Sequence, residues 1–252
     1  MNEAFRWTIV NGREYLECLP LSARARHLFS TRQLELPADF ALRRRNIDVF
    51  ASDLGVAPEH LQRAKQVHGR YVLLIEDGAA EPPGSIEADA VVTATPGGAC
   101  AVQIADCVPI LIASEGRPVA AVHAGWRGTA AGVVSEAVRA LAHLGSEAST
   151  LVAALGPSIG PCCYQVDARV RDVFAQSPHW GAAEDGFTED GEGHWRLDVA
   201  RINRRILERA GVPADRIFES RLCTACDLAR FYSYRVEGAG TGRLIAGIVS
   251  RL

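Results

Sequence analysis

Two histidines and one cysteine occupy positions where a fold exposes reactive groups: His68 in KQVHG, Cys107 in QIADCVPIL and His123 in AAVHAGWRG. Cys107 and His123 each fall where an apolar or β-branched run stops and small, turn-forming residues begin, and His68 ends a similar helix-to-strand transition. Two imidazoles and a thiolate match a zinc site with three protein ligands, which leaves the fourth position to water or substrate. The three residues are 39 and 16 positions apart. That is too far for a finger or knuckle of local spacing, so tertiary structure must assemble the site, which is typical of catalytic rather than structural metals. Two other readings stay open. The thiol is a small buried residue and the histidines are hydrogen-bonded strand ends, or Cys107 is a nucleophile with His123 as its base, as in a cysteine hydrolase.

The segment after His123 adds a second element of chemistry. Strand, then A-G-W-R-G, then helix presents backbone N–H groups at a helix start. Gly125 and Gly128 let the main chain approach a ligand, and Arg127 adds a fixed positive fork. An anion, phosphate in particular, would be stabilised there; the alternative is a plain strand-to-helix connection with a surface arginine. Asp106, next to Cys107, is a candidate to orient a ligand histidine or a water from behind, or else a turn residue. Cys223 and Cys226 form C-T-A-C with no second CxxC, which reads as buried structural thiols. Adjacent Cys162 and Cys163 are expected to point to opposite sides of the backbone and not to bridge.

The elements that must position these residues follow from periodicity and turn chemistry. WTIV-NG-REYLECL reads as a hairpin closed by an Asn11-Gly12 type I′ turn. RHLFSTR is a short strand ending at Arg32, and a helix is expected from Asn46 to Leu54, closed by Gly55. YVLLI and DAVVTA read as strands separated by a polar Pro/Gly loop. CAVQIA, PILIA and PVAAVH are apolar runs too continuous for solvent-facing edges. A helix starts at Gly128 and Thr129 with Val133, Val134, Ala137, Leu141 and Leu144 at helical spacing. STLVAALGPSIGP runs from a strand into a turn. Helices follow at DARVRDVFAQS, capped by Asp167, and at DVARINRRILERAG, capped by Asp198 and ended by Gly211. RLIAGIVSRL closes the chain as a strand. Strands outnumber helices and are often hairpin-linked, so the expected architecture is α+β: a single domain over 1–252 of mixed β-sheets layered with helices.

Composition narrows the function. The chain has 252 residues, 48% hydrophobic and 23% charged, with formal net charge −3, enough for one large buried core. A near-neutral chain without a basic stripe argues against nucleic acid as partner. The first residues carry charges throughout and no apolar h-region, which predicts no signal peptide, and no run of about 18 uncharged apolar residues predicts a membrane span. The expected setting is the cytoplasm, where seven cysteines read as thiols or ligands rather than a disulfide framework.

QVHG, ADAVV, IADCVPIL, AAVHAGWRG, GPSIGPCCY and FYSYR…TGR follow one another in the order of the YfiH family. That family is also called the laccase-domain or multicopper polyphenol oxidase family, and some members are named peptidoglycan editing factor. The resemblance runs from FSTR at Phe29 to the C-terminus. It implies a single α+β domain and a metal pocket whose ligands correspond to His68, Cys107 and His123. It also implies phosphorolysis of purine nucleosides (adenosine, inosine, methylthioadenosine), with adenosine deamination beside it, so the expected partners are a purine nucleoside and phosphate. Zinc is the expected cofactor, and copper follows from older descriptions as phenol oxidases. The chemistry fits the residues: Gly125, Arg127 and Arg32 could hold phosphate, and zinc could polarise the base. A multicopper oxidase needs many more histidines than the seven present.

The sequence departs from the family after STR. It runs directly into QLELPADFALRRRNIDVF, without the usual Gly-Gly and Gly-Asp; Asn46 matches the expected asparagine, but Ile47 replaces arginine, and Arg43, Arg44 and Arg45 lie one turn earlier. This predicts an altered substrate preference or rate if the loop encloses substrate. It leaves two alternatives beside the phosphorylase: a Cys107 hydrolase or amidase acting on cell-wall precursors, and a nucleoside- or metal-binding member that has lost turnover.

Overall fold

In the computed structural model, residues 3–37, 39–76 and 84–252 are described, with the side chains of 40 and 41 excepted. Most of the Pro/Gly loop expected before DAVVTA, residues 77–83, lies outside the described residues. Asn11 and Gly12 both have positive φ, 47° and 79°, as a type I′ turn requires. They close the hairpin of strands Phe5–Val10 and Arg13–Cys18, with Val10 opposite Arg13.

The hairpin begins a six-stranded sheet that continues through His27–Ser30, Leu244–Val249, Ala99–Ile104 and Leu61–Gln62. A second six-stranded sheet runs in the order Ile217–Glu219, Val152–Leu155, Val108–Ala113, Val119–Ala124, Ala90–Thr93 and Val72–Ile75. Parallel and antiparallel pairs mix in both. Successive side chains of a strand point to opposite faces. In Val108–Ala113 this sends Ile110 and Ile112 to one cluster and Leu111 and Ala113 to another. The second cluster, with Phe29, Val102 and Ile248, fills the space between the two sheets. The first is covered by helices Val133–His143 and Val199–Arg209 through Val134, Leu141, Ile202 and Ile206. Helix Phe40–Leu54 covers the outer face of the first sheet with Ile47, Phe50 and Leu54. The layers are therefore helix, sheet, sheet, helix. Strands at the centre of such a stack are buried on both faces, which is why the apolar runs at 108–113 and 119–124 are continuous.

The α+β class expected from the sequence holds, with differences at several boundaries. The first long helix starts at Phe40 rather than Asn46, because the Asp39 side chain accepts from the Leu42 N–H and caps it. Gly55 ends it with φ 79°. The helix after HAGWRG starts at Trp126, two residues earlier than expected, and Gly132 in the left-handed region (φ 90°) divides it into Trp126–Ala131 and Val133–His143. Asp198 caps Val199–Arg209 through the Arg201 N–H. Asp167 stands at the corresponding place before Ala168–Ala175, but its carboxylate pairs with Arg169 instead. A small sheet of Gln165–Asp167, His194–Leu197 and Phe187–Glu189 has no counterpart in the sequence reading; strands of three and four residues are too short to show a period. Among the described residues, no helix is long and apolar enough to cross a membrane.

Candidate functional site

Cys107, His123, His68 and Asp89 meet at one end of the two stacked sheets. Cys107 sits in the crossing from Ala99–Ile104 of the first sheet to Val108–Ala113 of the second. Asp106, at φ 90°, turns the chain there. His123 lies near the end of Val119–Ala124, opposite Pro109. His68 lies in the connection leading to Val72–Ile75, with φ 61°. A non-glycine residue in that region is held by its surroundings, and the holder is Asp89.

Asp89 is buried at the start of the strand Ala90–Thr93. Its Oδ1 accepts from the His68 N–H at 2.9 Å and from His123 Nδ1 at 2.8 Å. Its Oδ2 accepts from the Val67 and Gly69 N–H groups at 3.2 and 2.6 Å. Burial alone would raise this carboxyl, but the His123 ring and the backbone donors more than offset it and hold the group below the ordinary carboxylate range. A carboxylate only accepts, so His123 Nδ1 carries a proton toward Asp89, and Nε2 is the nitrogen left to face Cys107 and, on giving up its own proton, to bind a metal.

One donor atom from each of His68, Cys107 and His123 lies within 4.8 Å of the others. The two imidazole rings stand edge to face, with centroids 4.8 Å apart. Burial works against the Cys107 thiolate, but the neighbouring His123 charge and hydrogen bonds from both histidines reverse it and lower the thiol's pKa. Burial likewise opposes charge on His123, while Cys107 and Asp89 raise its pKa. Thiolate and imidazolium stabilise each other. The expected three-residue convergence is thus present, and it can hold a metal. The donor set suits one: two nitrogens and a sulfur, one histidine backed by a carboxylate, with His123 buried and His68 exposed toward a cleft.

Gly125 makes the convergence possible. A Cβ at that position would lie 2.9 Å from Cys107 Sγ and 3.1 Å from the His68 ring. Gly125→Ala is therefore expected to push both side chains aside. A misplacement of this kind costs on the order of 100-fold in rate; a kcat/KM within twofold of wild type would show that the three groups do not act from this arrangement.

The cleft has a volume of about 1460 Å³, and Gly125, Trp126 and Arg127 line it beside His68, Cys107 and His123. The helix start after HAGWRG therefore faces the pocket, as expected. Arg127 stacks on the Trp126 ring at 4.2 Å. Three of the expected roles differ. Arg32 does not line the cleft: its guanidinium is bound to the Leu228 and Phe231 carbonyls and to Glu237, and stacks on Tyr232. Asn46 does not line it either, because its amide donates to the Glu35 carbonyl at 2.6 Å and fixes the turn before the helix. Asp106 touches no ligand histidine; it accepts from Thr224 Oγ1 at 2.6 Å and from the Arg235 N–H at 2.7 Å, fastening distant loops to the Cys107 turn. The carboxylate behind the histidine is Asp89, whose only signal in the sequence is a lone acidic residue opening an apolar strand in ADAVV.

Arg43, Arg44, Arg63 and Arg243 also line the cleft. Two of them come from the RRR run that stands one helical turn before Ile47. Arg63 Nε is shut from solvent without a hydrogen-bond partner among the described residues, and burial lowers the guanidinium's pKa. The Asp48 carboxylate on the same cleft wall opposes that lowering in part, and the arginines gathered here suit an anion.

The sequence model of a family described as multi-copper polyphenol oxidoreductase laccase matches residues 39–251. The chain is similar to a protein of Deinococcus radiodurans named purine nucleoside phosphorylase, at 40% identity over 200 residues, covering 79% of this chain and 74% of that one. It is similar to adenosine deaminase RL5, from an unknown prokaryotic organism, at 34% identity over 206 residues, covering 79% of this chain and 78% of that one. Among solved structures, YlmD from Geobacillus stearothermophilus superposes with a TM-score of 0.86 at 29% identity, over 100% of both chains. A YfiH protein of Bacillus licheniformis superposes with a TM-score of 0.87 at 27% identity, over 99% of this chain and 100% of that one.

Proposed function

Because the chain belongs to the laccase-like YfiH family, we propose that it is a zinc-dependent purine nucleoside phosphorylase, with adenosine deamination as a side activity. The observation that carries the reading is the His68, Cys107 and His123 convergence in a cleft of about 1460 Å³, large enough for a nucleoside with phosphate beside it. The relatives named purine nucleoside phosphorylase and adenosine deaminase support the substrate class. His68, Cys107 and His123 would hold zinc, and when bound it supplies a Lewis acid for the purine ring or for water.

The chain's own residues supply the rest. Asp89 keeps the His123 proton on Nδ1 and holds the His68 turn in place. Arg63 and Arg127 bind phosphate and neutralise it, so that one of its oxygens can form the bond to the ribose C1′ as the C1′–N bond breaks and the purine leaves with the electron pair. Trp126, Tyr164 and Tyr234 form aromatic surface along the same cleft for the base to pack against. Arg63→Ala and Arg127→Ala are each expected to raise the KM for phosphate about tenfold or more, as loss of a charge-assisted hydrogen bond does, with a smaller change in the KM for inosine. Equal changes in both would place neither arginine on phosphate.

The experiment that tests the whole reading is removal of metal. Chelation is expected to abolish conversion of inosine and phosphate to hypoxanthine and ribose 1-phosphate, and zinc to restore it. A metal-free protein that still splits inosine at full rate overturns the zinc reading. The paired Cys107 thiolate and His123 imidazolium favour one second reading, a hydrolase with Cys107 as nucleophile. In that case chelation would leave activity intact and alkylation of Cys107 would end it. Copper oxidase chemistry has less support: among the described residues only His68 and His123 join a histidine-containing metal-binding group, too few for a trinuclear copper cluster.

A further inference from the structure

Four cysteines that take no part in this site converge elsewhere. The sulfurs of Cys162, Cys163, Cys223 and Cys226 all lie within 4.8 Å of one another. Cys162 and Cys163 Sγ are 3.5 and 3.4 Å from Cys226 Sγ. Cys162 and Cys163 were expected to point apart, as neighbours do in extended chain. They sit instead in a turn closed by the Cys163 N–H on the Gly160 carbonyl at 3.0 Å, where both thiols can face one point. Nor are Cys223 and Cys226 buried: Cys226 is exposed and Cys223 half-buried, while Cys18 and Cys100 are the core thiols.

The fold explains why residues about sixty positions apart meet. Strands Val152–Leu155 and Ile217–Glu219 are parallel neighbours, so the loops that leave their C-terminal ends run side by side. Ser158 N–H donates to the Leu222 carbonyl at 3.1 Å and Thr224 N–H to the Ser158 carbonyl at 3.0 Å. The Gly160 N–H points at Cys223 Sγ, 3.2 Å away, the kind of donor that stabilises a thiolate.

We propose that these four cysteines form a second, structural zinc site, closed to substrate, which staples the 159–164 and 222–235 loops together. A tetrahedral zinc with bonds of about 2.3 Å requires sulfurs about 3.8 Å apart; the Cys226 sulfur stands a few tenths of an ångström inside that distance from Cys162 and Cys163, at 3.5 and 3.4 Å, and all four sulfurs lie within 4.8 Å of one another. Four thiolates and no open position make a structural rather than a catalytic set. Binding is balanced without an oxidant: four S–H bonds give way to four Zn–S bonds, and up to four protons pass to the solvent. The staple has a purpose in the cleft. Its loops supply Ile159, Tyr164, Tyr234 and Arg235 to the cleft wall, and they hold Asp106, the residue before Cys107, through the Ile159 and Arg235 N–H groups and Thr224 Oγ1.

The test is elemental analysis of the full chain purified under reducing conditions. Two zinc ions per chain are expected in the wild type, and one in each of Cys226→Ser, Cys163→Ser and Cys107→Ala. Cobalt reconstitution separates the sites in a readout independent of activity: the visible bands of a tetrahedral tetrathiolate Co²⁺ should persist in Cys107→Ala and vanish in Cys226→Ser. Should the serine variants fail to fold, native-state alkylation of the wild type decides instead, with the four cysteines protected until a chelator is added. One zinc per chain with four freely alkylated thiols overturns the proposal, and so does a disulfide among the four in the protein as isolated. Failure of the catalytic zinc alone is distinguishable, since Cys107→Ala would then leave the zinc content unchanged while Cys226→Ser lowered it.

Discussion

Cys107→Ala is expected to lose its catalytic zinc and on the order of 10³-fold or more in phosphorolysis, the loss that removing several kcal/mol of Lewis-acid stabilisation produces. Cys107 is the only thiolate of the three-residue group, and the two imidazoles left behind bind a divalent ion far less tightly. The measurement pairs inosine phosphorolysis with zinc content on the same sample, because a cysteine hydrolase would also lose activity on this substitution. Loss of activity without loss of metal would assign Cys107 to nucleophilic rather than ligand chemistry. A variant that keeps both zinc and rate would remove Cys107 from the site altogether.

Asp89→Asn is expected to weaken zinc binding about 10- to 100-fold, the usual effect of losing the carboxylate behind a ligand histidine, and to destabilise the fold by about 1–3 kcal/mol. Four donors converge on the two oxygens of Asp89. An amide presents N–H₂ to one pair of them, so donor meets donor whichever way it turns. If the amide nitrogen faces His123 Nδ1, the ring can respond only by moving its proton to Nε2, which removes the lone pair that a metal needs. If it faces Val67 and Gly69, the turn that holds His68 at φ 61° loses its anchor. A competitive zinc titration and a thermal melt read the two effects separately. Unchanged zinc affinity in a folded Asp89→Asn protein would mean that His123 is not oriented by this carboxylate.

Chain chemistry alone announced the local features. A type I′ turn needs two residues that tolerate positive φ, and Asn11-Gly12 has no other common use between two apolar strands. Gly55 ends a helix because its φ of 79° is strained for other residues, and Asp198 starts one because its side chain reaches the third N–H beyond it. Ligand types were equally legible, since few residues other than His and Cys offer soft nitrogen and sulfur donors at strand ends. Arg32 and Asn46 show where that reasoning stops. Both have the right chemistry for an anion or a sugar, yet one is held by Glu237, 205 residues away, and the other by the Glu35 carbonyl.

Residue chemistry and local periodicity therefore announce which groups are available and which backbone shapes they favour: two histidines and a thiol at strand ends, an α+β alternation of short apolar runs and capped helices. Which groups meet depends on how the strands pair and stack. Asp89 rather than Asp106 backs His123 because the strands Ala90–Thr93 and Val119–Ala124 are antiparallel neighbours, which brings the carboxylate at the mouth of one beside the imidazole at the end of the other. Cys162, Cys163, Cys223 and Cys226 share one point because two parallel strands end together. Hydrogen bonds and metal bonds act over about 2–3 Å, whereas Asp89 and His123 stand 34 positions apart and Cys162 and Cys226 stand 64 apart; strand pairing and packing close that distance, and no local pattern records it.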